Sequence, residues 1–217
     1  MIDILFEDKY ICICRKLPGM LSEASDSDSS LPVMLSEQIN NEIFVLHRLD
    51  KPVGGAIMYA KTKSAASAFS RLVQENGIEK EYITVLDGIP SESSGMLTDL
   101  LFRDKQKNKT FTVKRMRKGV KEAKLNYTVL GTEKDHSLVK VRLITGRTHQ
   151  IRVQFASRKT PVTGDGKYGS KNNRCETALW SHRLSFVHPF TKERLEVKCE
   201  PPYECYPWNL FRTENKT

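Results

Sequence analysis

The chain lacks the features that define several broad classes of protein. It has no apolar run approaching the roughly eighteen residues that a spanning helix needs, which excludes such a helix. Its first residues, Met1-Ile2-Asp3-Ile4-Leu5-Phe6-Glu7-Asp8, bring in acids early and lack the basic opening of a secretory signal. We therefore expect a cytoplasmic protein. Cysteine is sparse: Cys12, Cys14, Cys175, Cys199 and Cys205 make an odd number, and none stands in a Cys-x-x-Cys pair. Neither a disulfide framework nor a zinc site is expected. Cys12 and Cys14 alternate along a predicted strand and read as small buried side chains. Acids are also short, with 26 Asp and Glu against 35 Lys and Arg, for a net charge of +9. That surplus favours a polyanionic partner. With no amphipathic basic helix to lie on a membrane, nucleic acid comes before lipid.

The 217 residues, 39% hydrophobic and 28% charged, can bury a core. Ile2–Phe6 and Tyr10–Arg15 flank Glu7-Asp8-Lys9 as a hairpin, which Pro18-Gly19 ends. The polar stretch from Ser22 to Ser30 reads as a mobile loop. A helix should start near Leu31-Pro32, capped by Ser30. A second helix is predicted from about Ser64 to Asn76, with Ala65, Ala68, Phe69, Leu72 and Val73 on one face and Gly77 to stop it. Glu81–Leu86 alternates as a strand, with Tyr82, Thr84 and Leu86 on one side. Further strands are predicted at Gly55–Lys61, Leu97–Phe102, Lys109–Val113, Leu125–Leu130, Ser137–Leu143, Ala178–Phe186 and Arg194–Cys199, with a short helix from about Thr148 to Ser157. No internal repeat is present. The pattern is α+β, built on a central antiparallel or mixed sheet flanked by helices.

The chemistry concentrates in a few short elements. His47-Arg48-Leu49-Asp50 follows the apolar run Ile43–Leu46 and precedes Lys51-Pro52-Val53-Gly54-Gly55, so one aspartate sits in a turn just past a strand. Far along the chain comes a second basic cluster, Gly146-Arg147-Thr148-His149-Gln150-Ile151-Arg152. Between and after these stand Lys80-Glu81-Tyr82, Gly164-Asp165-Gly166-Lys167-Tyr168-Gly169 and His188-Pro189. Neither His47 nor His149 has a third ligand at telling spacing, so no metal role is expected.

In order and spacing these elements resemble the RluA-like family of RNA pseudouridine synthases, from the first hairpin to about Pro201. Two differences stand out. Many members follow the aspartate with Thr-Ser-Gly, where this chain has Pro52-Val53-Gly54-Gly55. Many also carry an N-terminal RNA-binding domain of the S4 type, for which the 46 residues before His47 leave no room. We expect a single catalytic domain over 1–217. The resemblance implies a pseudouridine synthase-like fold, an isomerase acting on uridines in rRNA or tRNA, and no metal or organic cofactor. It implies that Asp50 is the catalytic aspartate, that Arg152 keeps it charged, and that Tyr82 lies against the target base. Arg48 would fill the gap left by the extruded nucleotide or grip a neighbouring phosphate. Arg147, His149 and Gln150 belong to the arginine's motif, contacting RNA or shaping the loop that presents Arg152.

Basic residues are dense from Lys105 to Lys124, through Lys107, Lys109, Lys114, Arg115, Arg117, Lys118 and Lys121. This stretch reads as an arm that tracks RNA phosphates. The competing readings are an RNA-binding protein or chaperone on the same fold, in which catalysis is dispensable, and a hydrolase using Asp50, which lacks a second acid or metal ligand. A monomer is the default.

Overall fold

The computed structural model describes residues 1–25 and 30–212. Its strands are β1 (Ile4–Glu7), β2 (Ile11–Lys16), β3 (Phe44–Val45), β4 (Gly54–Ala60), β5 (Glu79–Asp87), β6 (Ser94–Asp104), β7 (Lys109–Val113), β8 (Val120–Glu133), β9 (His136–Leu143), β10 (Leu179–Val187) and β11 (Arg194–Lys198). Its α-helices are α1 (Leu31–Ile39), α2 (Lys63–Gln74) and α3 (Gln150–Ala156). None of the described helices is long and apolar enough to cross a membrane. The chain divides into two compact units. One is Met1–Glu81 with Trp180–Pro201; the other is Tyr82–Leu179 with Pro202–Thr217.

In the first unit, β2 pairs antiparallel with β1 and with β4, placing Lys16 opposite Gly55. β10 joins β4 in parallel, with Trp180 opposite Gly54 and Ser181 opposite Gly55. β3 and β11 add antiparallel to β4 and β10, so the sheet is mixed. Every residue of β4 is buried. Its unalternating sequence, Gly54-Gly55-Ala56-Ile57-Met58-Tyr59-Ala60, is what a strand covered on both faces requires. The paired glycines are steric necessities. A Cβ on Gly54 would enter the Trp180 ring, and one on Gly55, whose φ is +109°, would enter the Ser181 backbone.

Helix α2 starts at Thr62, whose hydroxyl accepts the Ala65 N–H at 3.1 Å. Phe69 carries the helix into the core, edge-on to Phe186 and His188 at ring distances of 5.7 and 5.2 Å. The left-handed residue that ends the helix is Asn76 (φ 56°), and the Gly77 N–H closes on the Leu72 carbonyl at 2.8 Å. Ser30 stands at the start of α1, but its hydroxyl donates to Glu23 O instead of capping, so that part of the expectation is corrected. The stretch read as a mobile loop holds two buried serines, Ser22 and Ser30. Residues 26–29 of that stretch lie outside the described residues.

In the second unit the strand order is β5-β9-β8-β6-β7. β6, β7, β8 and β9 form antiparallel ladders, with Leu97 opposite Leu125 and Phe102 opposite both Phe111 and Val120. β8 runs longer at both ends than its apolar stretch predicts: Val120–Lys124 pair with β6, and past an irregularity between Val129 and Gly131 the pairing with β9 continues to Glu133. β5 contains the strand predicted at Glu81–Leu86, and residues 82–86 are all buried, so both faces are covered. Helix α3 is buried from Gln150 to Phe155. Val153 on α3 packs with Leu101, Ala123 and Tyr168.

Candidate active site

In the first unit the site is a turn held from beneath. Asp50 leads into Lys51-Pro52, and the Val53 N–H closes on the Asp50 carbonyl at 2.9 Å. Leu49, just before it, is gripped at both backbone groups by buried Ser22. The hydroxyl accepts the Leu49 N–H at 3.1 Å and donates to the Leu49 carbonyl at 2.8 Å. Tyr59 on β4 in turn donates to Ser22 O at 3.1 Å. After the aspartate, fully buried Lys16 takes over. Its ammonium donates to the carbonyls of Val53, Lys51 and Leu17 at 2.7, 3.0 and 3.2 Å. Burial pulls the Lys16 ammonium down to about 8, and the Asp50 carboxylate pushes the other way. The half-buried Asp50 therefore stands on a backbone fixed by one hydroxyl and one ammonium, within the field of that ammonium.

His47 is structural. Its Nε2 accepts the Met58 N–H at 3.1 Å, tying the motif to β4. Burial, then the charge of Lys80, hold the ring well below its ordinary range, so it is neutral. Arg48 is exposed and pairs with Glu23 at 2.7 Å. With both side chains more than half exposed, that pair contributes at most about 1 kcal/mol and releases easily.

Lys80-Glu81 and His188-Pro189 belong to the first unit, while the second carries Tyr82, the Gly146–Arg152 motif, the Gly164–Gly169 element and the basic stretch. Tyr82 is 7% exposed, at the start of that unit's share of β5. Gln150 is buried and brackets its own loop. Its Oε1 accepts from Arg147 N–H and the Thr145 hydroxyl, both at 2.9 Å, and its Nε2 donates to Lys124 O at 3.0 Å. The amide is thus committed to backbone and neighbour, which makes it a shaping group. Arg147 is exposed, with its Nε donating to Glu122 O at 3.0 Å. His149 adopts φ 55°, and its Nδ1 lies 2.8 Å from the Tyr168 hydroxyl. That hydroxyl also accepts the Thr110 N–H at 2.9 Å, so it ties His149 to β7. Burial pushes the Tyr168 hydroxyl above its ordinary range, which keeps its proton in place.

Arg152 is buried on α3 and makes a two-point ion pair with Asp165: Nε to Oδ2 at 2.6 Å and Nη2 to Oδ1 at 2.8 Å. In the sequence Asp165 and Tyr168 stood out only as members of the Gly164–Gly169 element, and Ser22 and Lys16 had no role. A signal for Lys16 was present: it falls on the same alternation as Cys12 and Cys14, the side of β2 that stays buried along its whole length. Of the basic stretch, Lys105 and Lys107 are exposed in the β6–β7 turn. Lys114, Arg115, Arg117 and Lys118 are exposed between β7 and β8, and Lys121 is exposed on β8. Lys109 is half-buried, its Nζ 5.1 Å from the Tyr168 ring centre.

The family model for RNA pseudouridylate synthase matches residues 10–157, a span that holds both the Asp50 turn and Arg152. An uncharacterized RNA pseudouridine synthase of Mycoplasma pneumoniae is 31% identical over 205 residues, covering 92% of this chain and 66% of that one. The chain thus spans about two thirds of that relative's length. The tRNA pseudouridine synthase C of Vibrio parahaemolyticus is 32% identical over 91% of this chain and 89% of its own. A solved structure, human RNA pseudouridylate synthase domain containing 1, superposes with a TM-score of 0.78 at 24% identity, covering 94% of this chain and 84% of that one; this likeness shows the fold. With the aspartate turn and the buried arginine in the matched span, and relatives of that kind along nearly all of its length, the chain belongs to the RluA-like RNA pseudouridine synthases, which isomerise uridine in RNA to pseudouridine.

Proposed function

We propose that this chain isomerises particular uridines of ribosomal or transfer RNA, with Asp50 as its catalytic carboxylate. The reaction breaks the bond between N1 of the base and C1′ of the ribose, turns the base, and rejoins it through C5. The observation that carries the reading is the support under Asp50. Two buried polar side chains, Lys16 and Ser22, are spent on the backbone that presents this one carboxylate. A simple surface turn needs no such support.

The carboxylate must be both desolvated and ionised. Desolvation alone favours its neutral form, and a guanidinium reverses that. Arg152 fills this role. Tyr82 offers a ring for the target base and a hydroxyl within the family's proton chemistry at C5. A uridine inside folded RNA has to be extruded first, at a cost of a few kcal/mol. Arg48, held only by an exposed pair with Glu23, takes the vacated position or a phosphate beside it. Arg147, His149 and the basic residues from Lys105 to Lys121, Lys109, Arg115 and Arg117 among them, hold the RNA backbone, while Gln150 shapes the loop. The enzyme acts as a cytoplasmic monomer.

The test is release of tritium from RNA labelled at C5 of uridine. Wild-type protein should release it, and Asp50→Asn should bind the same RNA with unchanged affinity and release none. Turnover by Asp50→Asn near the wild-type rate removes the assignment. Binding without release by the wild type favours an RNA-binding protein on this fold.

A further inference from the structure

The Arg152 guanidinium is fixed by a turn of its own unit. Its Nε–H and one Nη2–H go to the two oxygens of Asp165, at 2.6 and 2.8 Å. A guanidinium holds five N–H donors in one rigid plane, so a two-point grip on one edge sets the direction of the other three. Both partners are buried, Asp165 1% and Arg152 4% exposed. Tyr168 restrains the group from its face, with the ring centre 5.1 Å from the guanidinium carbon. The ring is itself anchored, because its hydroxyl is held between the Thr110 N–H and His149 Nδ1. Asp165 and Tyr168 both come from the turn between Gly164 (φ +79°) and Gly169 (φ +100°), and a Cβ on Gly164 would run into the carbonyls of Cys175 and Glu176. A buried ion pair is a poor source of net stability compared with apolar packing, so its presence here argues for geometry.

We propose that Asp165 and Tyr168 are positioning residues for the isomerisation, holding the Arg152 guanidinium in one plane so that its remaining N–H groups face the reacting centre in one direction. This rests on the role given to Arg152 above. The residues act through Arg152, so they should alter the chemical step, and Asp165, whose carboxylate holds the guanidinium, should spare binding.

The test is the single-turnover rate on a transcript that wild-type enzyme modifies, measured beside RNA affinity and thermal melting. Asp165→Asn should melt cooperatively, bind RNA within about threefold of wild type and react about thirtyfold to a hundredfold more slowly, as a misplaced catalytic group does. Asp165→Glu should recover most of the rate, and Tyr168→Phe should lose about tenfold. Adding Asp165→Asn to Arg152→Lys should slow that variant by no more than about twofold, because the two losses share one cause. A folded Asp165→Asn that reacts within about threefold of wild type, or losses that multiply in the double variant, would overturn the proposal. If Asp165→Asn does not fold, a wild-type rate in Tyr168→Phe overturns it. Asp50→Asn run alongside separates the two claims. Full turnover there removes the functional assignment itself, whereas an inactive Asp50→Asn beside a fully active Asp165→Asn removes the positioning role alone.

Discussion

At the scale of single residues, the support under Asp50 has a titratable part. Lys16 is fully buried and its ammonium is pulled down to about 8 from an ordinary 10.5. Below pH 8 it is charged in both folded and unfolded chains. Between 8 and 10.5 the unfolded chain binds more protons than the folded one, so the contribution of Lys16 to stability rises with pH across that window. The stability of wild type minus that of Lys16→Met should therefore grow from pH 7.5 to 9.5 by on the order of 2 kcal/mol in urea unfolding. A difference that stays flat contradicts the buried, charged lysine. The subtraction matters because burial pushes the Cys12 thiol up to about 12, which works in the opposite sense above the ordinary thiol range. Asp50, Tyr82 and Arg152, the residues proposed for catalysis, could be singled out in the sequence because each stands in a short motif with a recognisable neighbour. Lys16, Ser22 and Asp165 could not be read this way. Their roles depend on partners 37, 27 and 13 positions away, which no local pattern announces.

At the scale of elements, most strands and all three helices could be read from the sequence, while the burial of each face could not. β5 was read as a strand from its alternation, which does not say that residues 82–86 are covered on both faces. The sequence pattern reports side-chain polarity, whereas burial is decided by what packs over the strand. The glycine pair of β4 shows the same dependence, since its necessity comes from Trp180 and Ser181 on β10. Gly55→Ala should cost about 3 kcal/mol or more, through a strained positive φ together with a backbone clash. Gly166→Ala, where a Cβ meets nothing within 4 Å, should stay within about 0.5 kcal/mol of wild type. Thermal melting of the two variants checks the contrast, and equal melting points would contradict it. The basic turn between β6 and β7 makes a prediction of a different kind. Lys105→Glu with Lys107→Glu should weaken RNA binding and flatten its dependence on salt by about one unit of slope for each phosphate no longer neutralised. An unchanged affinity and slope would remove this turn from the RNA interface.

At the scale of the whole molecule, the net charge of +9 and the order of the motifs already named the class of partner and the reaction, and the family match agrees with both. What the sequence could not supply was the bracing inside each unit: the Asp50 turn by Lys16 and Ser22 in one, Arg152 by Asp165 and Tyr168 in the other. Both braces use buried polar groups on backbone or on a charge, which suits a reaction that has to keep a carboxylate ionised away from water. The most direct measurement is a nucleotide-resolution map of pseudouridine in total RNA from cells with the gene, without it, and with the gene restored as wild type or as Asp50→Asn. The account predicts that specific positions in rRNA or tRNA lose the modification without the gene, regain it with the wild type, and stay as uridine with Asp50→Asn. Identical maps with and without the gene, or full restoration by Asp50→Asn, would contradict it.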